Sequence, residues 1–250
     1  MEDLPFIYDE AGRMDGFKNR IIYYETSRGC PFSCSYCLSS IDKCLRFRDL
    51  ELVKKELQFF IDHKVPQVKF VDRTFNCKHD HAMTVWRYIK EHDNGITNFH
   101  FEVAADLLNE EEMELIKTMR PGLIQLEIGV QSTNGETVDA IHRHMDLDKL
   151  FHYVDRVHEL GNIHQHLDLI AGLPYENYER FGCSFDDLYA VKIKDTSEYG
   201  LNRRLGTFSL GVKIGENIWM TPCIKTVNID ITRPSLVEIG DYVRIDRNFT

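Results

Sequence analysis

Short apolar runs alternate with amphipathic stretches between residues 20 and 190. The apolar runs are rich in β-branched and aromatic residues and predict strands. The stretches between them have apolar residues at helical spacing and predict helices. The predicted strands are 20–25, 67–71, 98–104, 123–128 and 163–170, and the predicted helices are 50–63, 79–92, one that Asn109 caps, 147–160 and 175–189. Strands that alternate with helices indicate right-handed βαβ units and a parallel sheet.

Polar and glycine-bearing segments follow each predicted strand. Active sites of parallel sheets lie at the carboxyl ends of the strands, so these segments are expected to gather at one rim. They are the cysteine-rich loop 28–37, the loop 72–76, the strand end near Glu102, the segment 127–132 and the segment 168–174.

Beyond about residue 192 the pattern changes. No helical period is visible, and the segments 212–220 and 237–245 are two copies of one motif with an Ile-Gly-acidic turn. A repeat of this kind suggests coils of a β-helix, which normally needs at least about three repeats. The charge balance also shifts, from −12 for residues 1–190 to +2 for residues 191–250. We therefore predict a linker at 1–19, a core at 20–191 and an incomplete repeat segment at 192–250.

Composition and charge restrict the class of protein. The formal net charge of −10 argues against a nucleic-acid backbone as the main partner, because binding it requires a basic surface. No apolar run reaches the roughly 18 residues of a membrane helix. The N-terminus lacks the basic and apolar regions of a secretory signal. A cytoplasmic protein without a membrane span is the expectation.

Three of the seven cysteines lie within eight residues, with the spacing Cys-x3-Cys-x2-Cys at Cys30, Cys34 and Cys37. Three thiolates from one loop can bind three irons of a 4Fe-4S cubane and leave the fourth iron without a protein ligand. An open iron suits a cluster that activates a bound molecule. The alternative is a structural zinc site, whose fourth ligand would have to be Cys44 or a histidine.

Residues 20–190 resemble the radical S-adenosylmethionine (SAM) superfamily. The resemblance rests on Cys30, Cys34, Tyr36 and Cys37, directly after a first strand. It implies an α/β fold, a partial (β/α)6 TIM-like barrel with about five βα units here. It also implies that the three cysteines hold a 4Fe-4S cluster whose free iron is chelated by SAM. An electron from the cluster then cleaves SAM to a 5′-deoxyadenosyl radical, which abstracts hydrogen from a substrate.

The resemblance extends to residues around SAM. The loop 72–76, with Asp72 and Thr74, occupies the place of the family's Gly-Gly-Glu loop, although its residues differ. Glu102 lies where some members place a carboxylate against SAM. The alternative for the polar residues at the end of the fourth strand is that they only satisfy backbone groups. The predicted SAM contacts are Tyr36, Asp72, Thr74, Glu102, Gln131, Ser132, Ile170 and Gly172.

Segments 39–42, 71–76 and 169–174 resemble the branch of the superfamily with an N-terminal cobalamin-binding domain. That domain is expected before Met1, so we assign cobalamin to the full-length relative only. The resemblance implies a small-molecule or metabolite substrate and an electron donor such as flavodoxin or ferredoxin. It leaves the substrate and the outcome of the reaction open.

Two further candidates for chemistry come from the sequence. His164 and His166 alternate along the fifth strand and would face one side of it, where they could handle protons or serve only the core. Cys77 follows the loop 72–76 and would be a reactive thiol if its pKa were low.

Residues 192–250 resemble the opening coils of a hexapeptide-repeat acyltransferase, a β-helix fold. No histidine follows His166, so the general base of such enzymes is missing and acyl transfer is not expected. The sixth strand of the radical SAM core is also expected to be missing. Three hypotheses follow: a radical SAM enzyme, a module that only transfers electrons, and an inactive or truncated chimera with an acyltransferase fragment.

Overall fold

The computed structural model describes Met1, residues 3–9 and 20–193, and the segments 208–210, 212–213, 219–220, 227–229 and 237–239. Short 3-10 turns lie at Leu38–Ile41, Phe75–Cys77 and Ala105–Leu107. The helices are α1 (Leu50–Asp62), α2 (His79–Glu91), α3 (Glu110–Lys117), α4 (Gly135–Ala140), α5 (Leu147–Leu160) and α6 (Tyr178–Ile193). The strands are β1 (Ile22–Tyr24), β2 (Ser27–Arg28), β3 (Arg46–Phe47), β4 (Gln67–Phe70), β5 (Asn98–Val103), β6 (Ile124–Gln131), β7 (His164–Ala171), β8 (Phe208–Leu210), β9 (Val212–Lys213), β10 (Trp219–Met220), β11 (Val227–Ile229) and β12 (Val237–Ile239).

The main sheet has the strand order β1-β4-β5-β6-β7-β8. The pairs β1–β4, β4–β5, β5–β6 and β7–β8 are all parallel. Parallel neighbours are reached by crossover connections, which are helical here from β4 to β7. The predicted α/β class with a parallel sheet is therefore confirmed.

The sixth strand of this sheet is β8. It pairs with the end of β7, with Phe208 opposite Leu169. The described residues of β8 thus occupy the edge position of the sheet that the sequence analysis expected to be empty, while the domain boundaries stay predictions. Three residues are too few to show a strand period, and the repeat-like segment follows almost directly, so the sequence pattern did not separate the two.

Two compact units divide the chain: Met1–Gly129 with His142–Gln165, and Val130–Ile141 with His166–Thr250. The first unit packs aromatic side chains on one face of its strands. Phe60 of α1 lies edge-on to Tyr24, with ring centroids 5.5 Å apart, and Trp86 of α2 lies edge-on to Phe101 at 6.0 Å. Such pairs add to the free energy gained by burying the rings.

The other face of the same strands carries polar side chains. Side chains alternate along a strand, so the neighbours in register of Tyr23 share its face. The register runs from Tyr23 through Lys69 and His100 to Gln125, and Glu102 stands opposite Glu127 two residues further along. We call this surface the polar face, and its residues are Tyr23, Lys69, His100, Glu102, Gln125 and Glu127.

Two helix ends follow the sequence prediction. Asn109 caps α3: its side chain accepts from the backbone N–H groups of Glu111 and Glu112, and the Glu112 carboxylate accepts from the Asn109 N–H. Gly161 ends α5 in the left-handed conformation, with φ of 69°. No helix in the described part of the chain is long and apolar enough to cross a membrane.

Beyond β8, the described pieces of the C-terminal segment are two antiparallel pairs. β9 pairs with β10, and β11 pairs with β12. The other residues of the repeated motif lie outside the described residues, as do most of residues 1–19. The β-helix-like fragment, the linker and their boundaries stay predictions.

Candidate active site

The cysteine loop begins at Gly29, whose φ of +94° suits glycine and strains other residues. A Cβ at this position would lie 2.4 Å from the carbonyl oxygen of Cys44. The amide of Cys30 donates to the carbonyl of Asp42 at 3.0 Å. Residue 28 pairs with residue 46 in the β2–β3 hairpin. The loop is therefore held at both ends by its own backbone.

The three predicted cluster ligands are free thiols: Cys30 and Cys34 are buried and Cys37 is half-buried. The amide of Cys37 donates to the carbonyl of Cys34 at 3.1 Å, so these two share one turn. Among the described residues, no three His, Cys, Asp or Glu side chains converge on one metal-ion position. A cubane does not require convergence, because each thiolate binds a different iron. The donor set fits a cluster with one open iron. Cys44, which a zinc site would have to recruit, is exposed.

Arg143 is a site residue that the sequence analysis missed. Its Nη1 donates to the Tyr36 hydroxyl at 3.2 Å and lies 4.0 Å from Cys34 Sγ, and its Nη2 donates to the carbonyl of Gly129. Burial raises the pKa of the Tyr36 hydroxyl and Arg143 partly offsets that rise, so the phenol stays protonated. Arg143 thus brings a positive charge to the cysteine loop from over a hundred residues away in the chain.

Asp72 is fully buried, and its carboxylate holds the segment before the cysteine loop. It accepts hydrogen bonds from the hydroxyls of Thr26 at 2.7 Å and Ser27 at 2.6 Å, and from the Thr26 amide at 3.1 Å. Burial raises the pKa of Asp72, and these hydrogen bonds oppose the rise. His81 Nε2 lies 2.9 Å from the Thr26 hydroxyl, and burial lowers the pKa of His81 to about 4, so it is neutral. Both carboxylate oxygens of Asp72 therefore accept hydrogen bonds from other groups of the protein.

The loop after β4 reaches the first cluster cysteine. The hydroxyl of Thr74 lies 4.0 Å from Cys30 Sγ, and the Asn76 side chain fixes the loop with two hydrogen bonds to the backbone of Ala104. Burial raises the pKa of the Cys77 thiol to about 11, so it lacks the low pKa expected of a reactive thiol.

Glu102 lies on the polar face, beside two charged neighbours. Burial, then the charge of Glu127, raise the pKa of Glu102 to about 7. For Glu127 the effect of burial is outweighed by hydrogen bonds from His100 and Lys69, and its pKa falls to about 2. Burial opposes the charge on Lys69, but the bond to Glu127 outweighs it and raises the lysine pKa. Two carboxyls of one face thus differ in protonation near neutral pH.

In the second unit, Gln131 and Ser132 end β6. Gln131 has a φ of 70°, which is uncommon for a residue other than glycine. Ser132 is fully buried; its hydroxyl donates to Glu176 Oε1 at 2.6 Å and accepts from the amide of Asn134. Burial raises the pKa of Glu176. The Ser132 side chain therefore supports the turn after β6, while the backbone of Gln131 is the strained point.

The remaining predicted residues lie on β7 and just after it. Ile170 is buried, and Gly172 is exposed with a φ of 85°. His164 is exposed and His166 half-buried, with Gln165 buried between them, so the alternation expected of the two histidines is present. Their role in proton handling stays a prediction.

The family model described as Radical SAM superfamily matches residues 24–188. A cobalamin-dependent radical SAM methyltransferase, TokK from Streptomyces tokunonensis, is 26% identical over 201 residues, which are 76% of this chain and 27% of the relative. A tRNA-2-methylthio-N(6)-dimethylallyladenosine synthase from Rickettsia bellii is 23% identical over 227 residues, 82% of this chain and 49% of the relative.

The chain belongs to the radical SAM superfamily. Among solved structures, the radical SAM methyltransferase TsrM from Kitasatospora setae, with cobalamin and a 4Fe-4S cluster bound, matches with a TM-score of 0.65 and 18% identity. The match covers 81% of this chain and 39% of TsrM, and it supports the predicted fold of a partial TIM-like barrel. The chain spans about a quarter to a half of the length of the two curated relatives.

Proposed function

We propose that this chain binds a 4Fe-4S cluster on Cys30, Cys34 and Cys37 and cleaves SAM reductively. The observation that carries the proposal is a loop with three free thiols, two of them buried. The loop is held by the backbone conformation of Gly29 and by the hydrogen bond from the Cys30 amide to the Asp42 carbonyl. Three thiolates satisfy three irons and leave the fourth for the amino and carboxylate groups of SAM. When bound, the cluster supplies the electron that cleaves SAM.

The residues around the loop have roles that follow from their contacts. Thr74 and Arg143 approach the sulfur atoms of Cys30 and Cys34, and hydrogen-bond donors near the sulfurs favour added electron density on a cluster. Asp72 holds the segment that enters the loop, so its contribution to SAM binding would come from backbone groups of the loop 72–76. The other proposed SAM contacts are Tyr36, Glu102, Gln131, Ser132, Ile170 and Gly172.

We further propose a reaction for the longer relative of this chain, the one with an N-terminal cobalamin-binding domain. That reaction is methyl transfer. TokK and TsrM, both similar to this chain, are named as methyltransferases, and TsrM was solved with cobalamin. The substrate would be a small molecule, and a flavodoxin or ferredoxin would supply the electron. The Rickettsia bellii relative is named as a tRNA-modifying enzyme. The net charge of −10 is the argument for a small molecule over tRNA.

The proposal is tested by reconstituting the cluster without oxygen, adding SAM and a reductant, and measuring 5′-deoxyadenosine by chromatography. We expect wild type to form it, and Cys34→Ala to lose at least about 100-fold of the rate because one iron loses its ligand. Cys183→Ala is the matched control, since Cys183 is exposed and lies in the other unit. A full cluster without any 5′-deoxyadenosine would contradict the proposal and favour a module that only transfers electrons.

A further inference from the structure

Gln131 lies at the centre of a strained turn at the end of β6. Its φ is 70°, and the amide of Ser132 donates to the carbonyl of Val130 at 2.9 Å, which closes a three-residue γ-turn. The form of this turn with positive φ is rare, and it persists only where surrounding contacts hold it. Tyr175, which follows the neighbouring strand β7, also has a positive φ, of 59°. Two adjacent strands of the sheet are thus followed by strained backbone.

Hydrogen bonds join the segment after β6 to the segment after β7. Each runs from a side chain of the first segment to the second: Ser132 Oγ to Glu176 Oε1 at 2.6 Å, Asn134 Nδ2 to the Tyr175 carbonyl at 3.1 Å, and Thr137 Oγ1 to the Pro174 carbonyl at 2.9 Å. The bond from Ser132 to Glu176 is the shortest of these and joins two side chains. Because Ser132 directly follows Gln131, this bond acts on the γ-turn itself.

Glu176 belongs to a buried network that includes α6. Ser132 and Ser184 are both fully buried. The Ser184 hydroxyl accepts from the amide of Thr133 at 3.0 Å and donates to Glu176 Oε1 at 3.4 Å. The other carboxyl oxygen, Oε2, is buried without a hydrogen-bond partner among the described residues. Burying that oxygen lowers stability, as the positive φ values do, and costs of this kind concentrate at functional sites.

The Ser132 hydroxyl is committed within the protein. Its hydrogen is donated to Glu176, and its oxygen accepts from the amide of Asn134 at 3.0 Å. Its burial also keeps the hydroxyl away from a ligand. Ser132 would therefore serve SAM through its backbone and through the position that it gives to Gln131.

We propose that Glu176 is a positioning residue for SAM. It holds Ser132, and through Ser132 the γ-turn of Gln131, in the conformation that binds SAM. This inference rests on the proposed function, because it takes Gln131 as a SAM contact. Glu176 does not itself contact SAM or the reacting atoms. Loss of Glu176 therefore weakens SAM binding and leaves the cleavage step unchanged.

SAM binding is measured by calorimetry on the anaerobically reconstituted protein without reductant, so that SAM is bound but not cleaved. We expect Glu176→Ala to raise the dissociation constant of SAM about tenfold, because the Ser132 hydroxyl loses its acceptor and the γ-turn relaxes. Glu176→Gln keeps an amide oxygen as acceptor and should stay within about twofold of wild type. Glu179→Ala is the matched control, since Glu179 is an exposed carboxylate in the first turn of α6.

A double-mutant cycle with Ser132→Ala separates positioning from direct contact. Ser132→Ala and Glu176→Ala remove the same hydrogen bond, so the double variant should weaken SAM binding about tenfold, as each single variant does, rather than about a hundredfold. The rate of 5′-deoxyadenosine formation is measured with reductant for Glu176→Ala. We expect its KM for SAM to rise about tenfold and its kcat to stay within about twofold of wild type.

Wild-type SAM affinity in Glu176→Ala overturns the proposal. So does a loss of about a hundredfold in the double variant, because Ser132 and Glu176 would then act independently. A lower kcat with unchanged KM overturns it as well. If Glu176→Ala lowers the iron content, Glu176→Met, which keeps the volume without an oxygen acceptor, replaces it in the cycle. A wild type that does not bind SAM contradicts the proposed function, so wild type alone tells the two failures apart.

Discussion

Arg143 places a positive charge beside the cysteine loop. Its guanidinium lies 4.0 Å from Cys34 Sγ, and its Nε is buried without a partner among the described residues. Reduction adds one negative charge to a cluster, and a nearby positive charge stabilises the reduced form more than the oxidised form. If Cys34 ligates the proposed cluster, Arg143 would favour its reduction.

We expect Arg143→Gln to shift the reduction potential of the cluster to more negative values, on the order of 50 mV or more. Gln keeps much of the length and a donor but loses the charge. Potentiometric titration of the reconstituted protein, followed by electron paramagnetic resonance (EPR), measures the shift. Arg156→Gln is the control, because Arg156 pairs with Glu110 at the surface. An equal potential in Arg143→Gln and wild type would show that the charge does not reach the cluster.

At the residue scale, the sequence predicted groups of residues that are close together in the chain. It did not predict residues that meet only through the fold. Cys30, Cys34 and Cys37 lie in one loop, so their spacing alone predicted that they bind one iron–sulfur cluster. Arg143 reaches the loop through the fold, and no local pattern marks it. Asp72 was predicted as a SAM contact, but its carboxylate is held by Thr26 and Ser27. Burial of that side chain decides its partners, and burial at a strand end is not visible in a single sequence.

At the scale of elements, strong periodicity located the long helices and strands. α1, α2 and α5 end within one residue of their predicted limits, since their apolar faces and the Gly161 cap mark them clearly. Four elements were missed: the two-residue strands β2 and β3, the six-residue helix α4, and the three-residue strand β8. Each is too short to complete a recognisable period, and each is stabilised by pairing or packing with distant residues.

The prediction at this scale concerns Gly29, which lies directly after strand β2 of the β2–β3 hairpin. Gly29→Ala places a Cβ 2.4 Å from the Cys44 carbonyl in a backbone conformation with positive φ, so the cysteine loop must shift. We expect iron bound after reconstitution to fall by at least about half, with Cys30 and Cys34 no longer correctly spaced. Iron and sulfide analysis measures this.

Gly161→Ala is the matched control for Gly29→Ala. Gly161 also has a positive φ of 69°, but no heavy atom lies within 4 Å of the added Cβ. We expect it to cost about 1 kcal/mol of unfolding free energy in urea and to leave iron content unchanged. Equal iron loss in both variants would show that general destabilisation, rather than the contact with Cys44, is responsible.

At the scale of the whole molecule, the family match spans residues 24–188, which include the cysteine loop, all of the polar face except Tyr23, and the end of β6. The fold class could be predicted because strand and helix patterns alternate along this range. The polar face could not be predicted, because it is assembled from four strands whose register only the structure provides. The repeat-like segment 192–250 stays a prediction, because most of it lies outside the residues that the structure describes.

The most direct test of the central claim is the EPR spectrum of the reduced, anaerobically reconstituted protein with and without SAM. We expect about four irons per chain and a cluster signal whose g-values change when SAM is added, because SAM occupies the open iron. Bound zinc, absent iron, or a cluster signal that SAM leaves unchanged would contradict the assignment of Cys30, Cys34 and Cys37 to an open cubane.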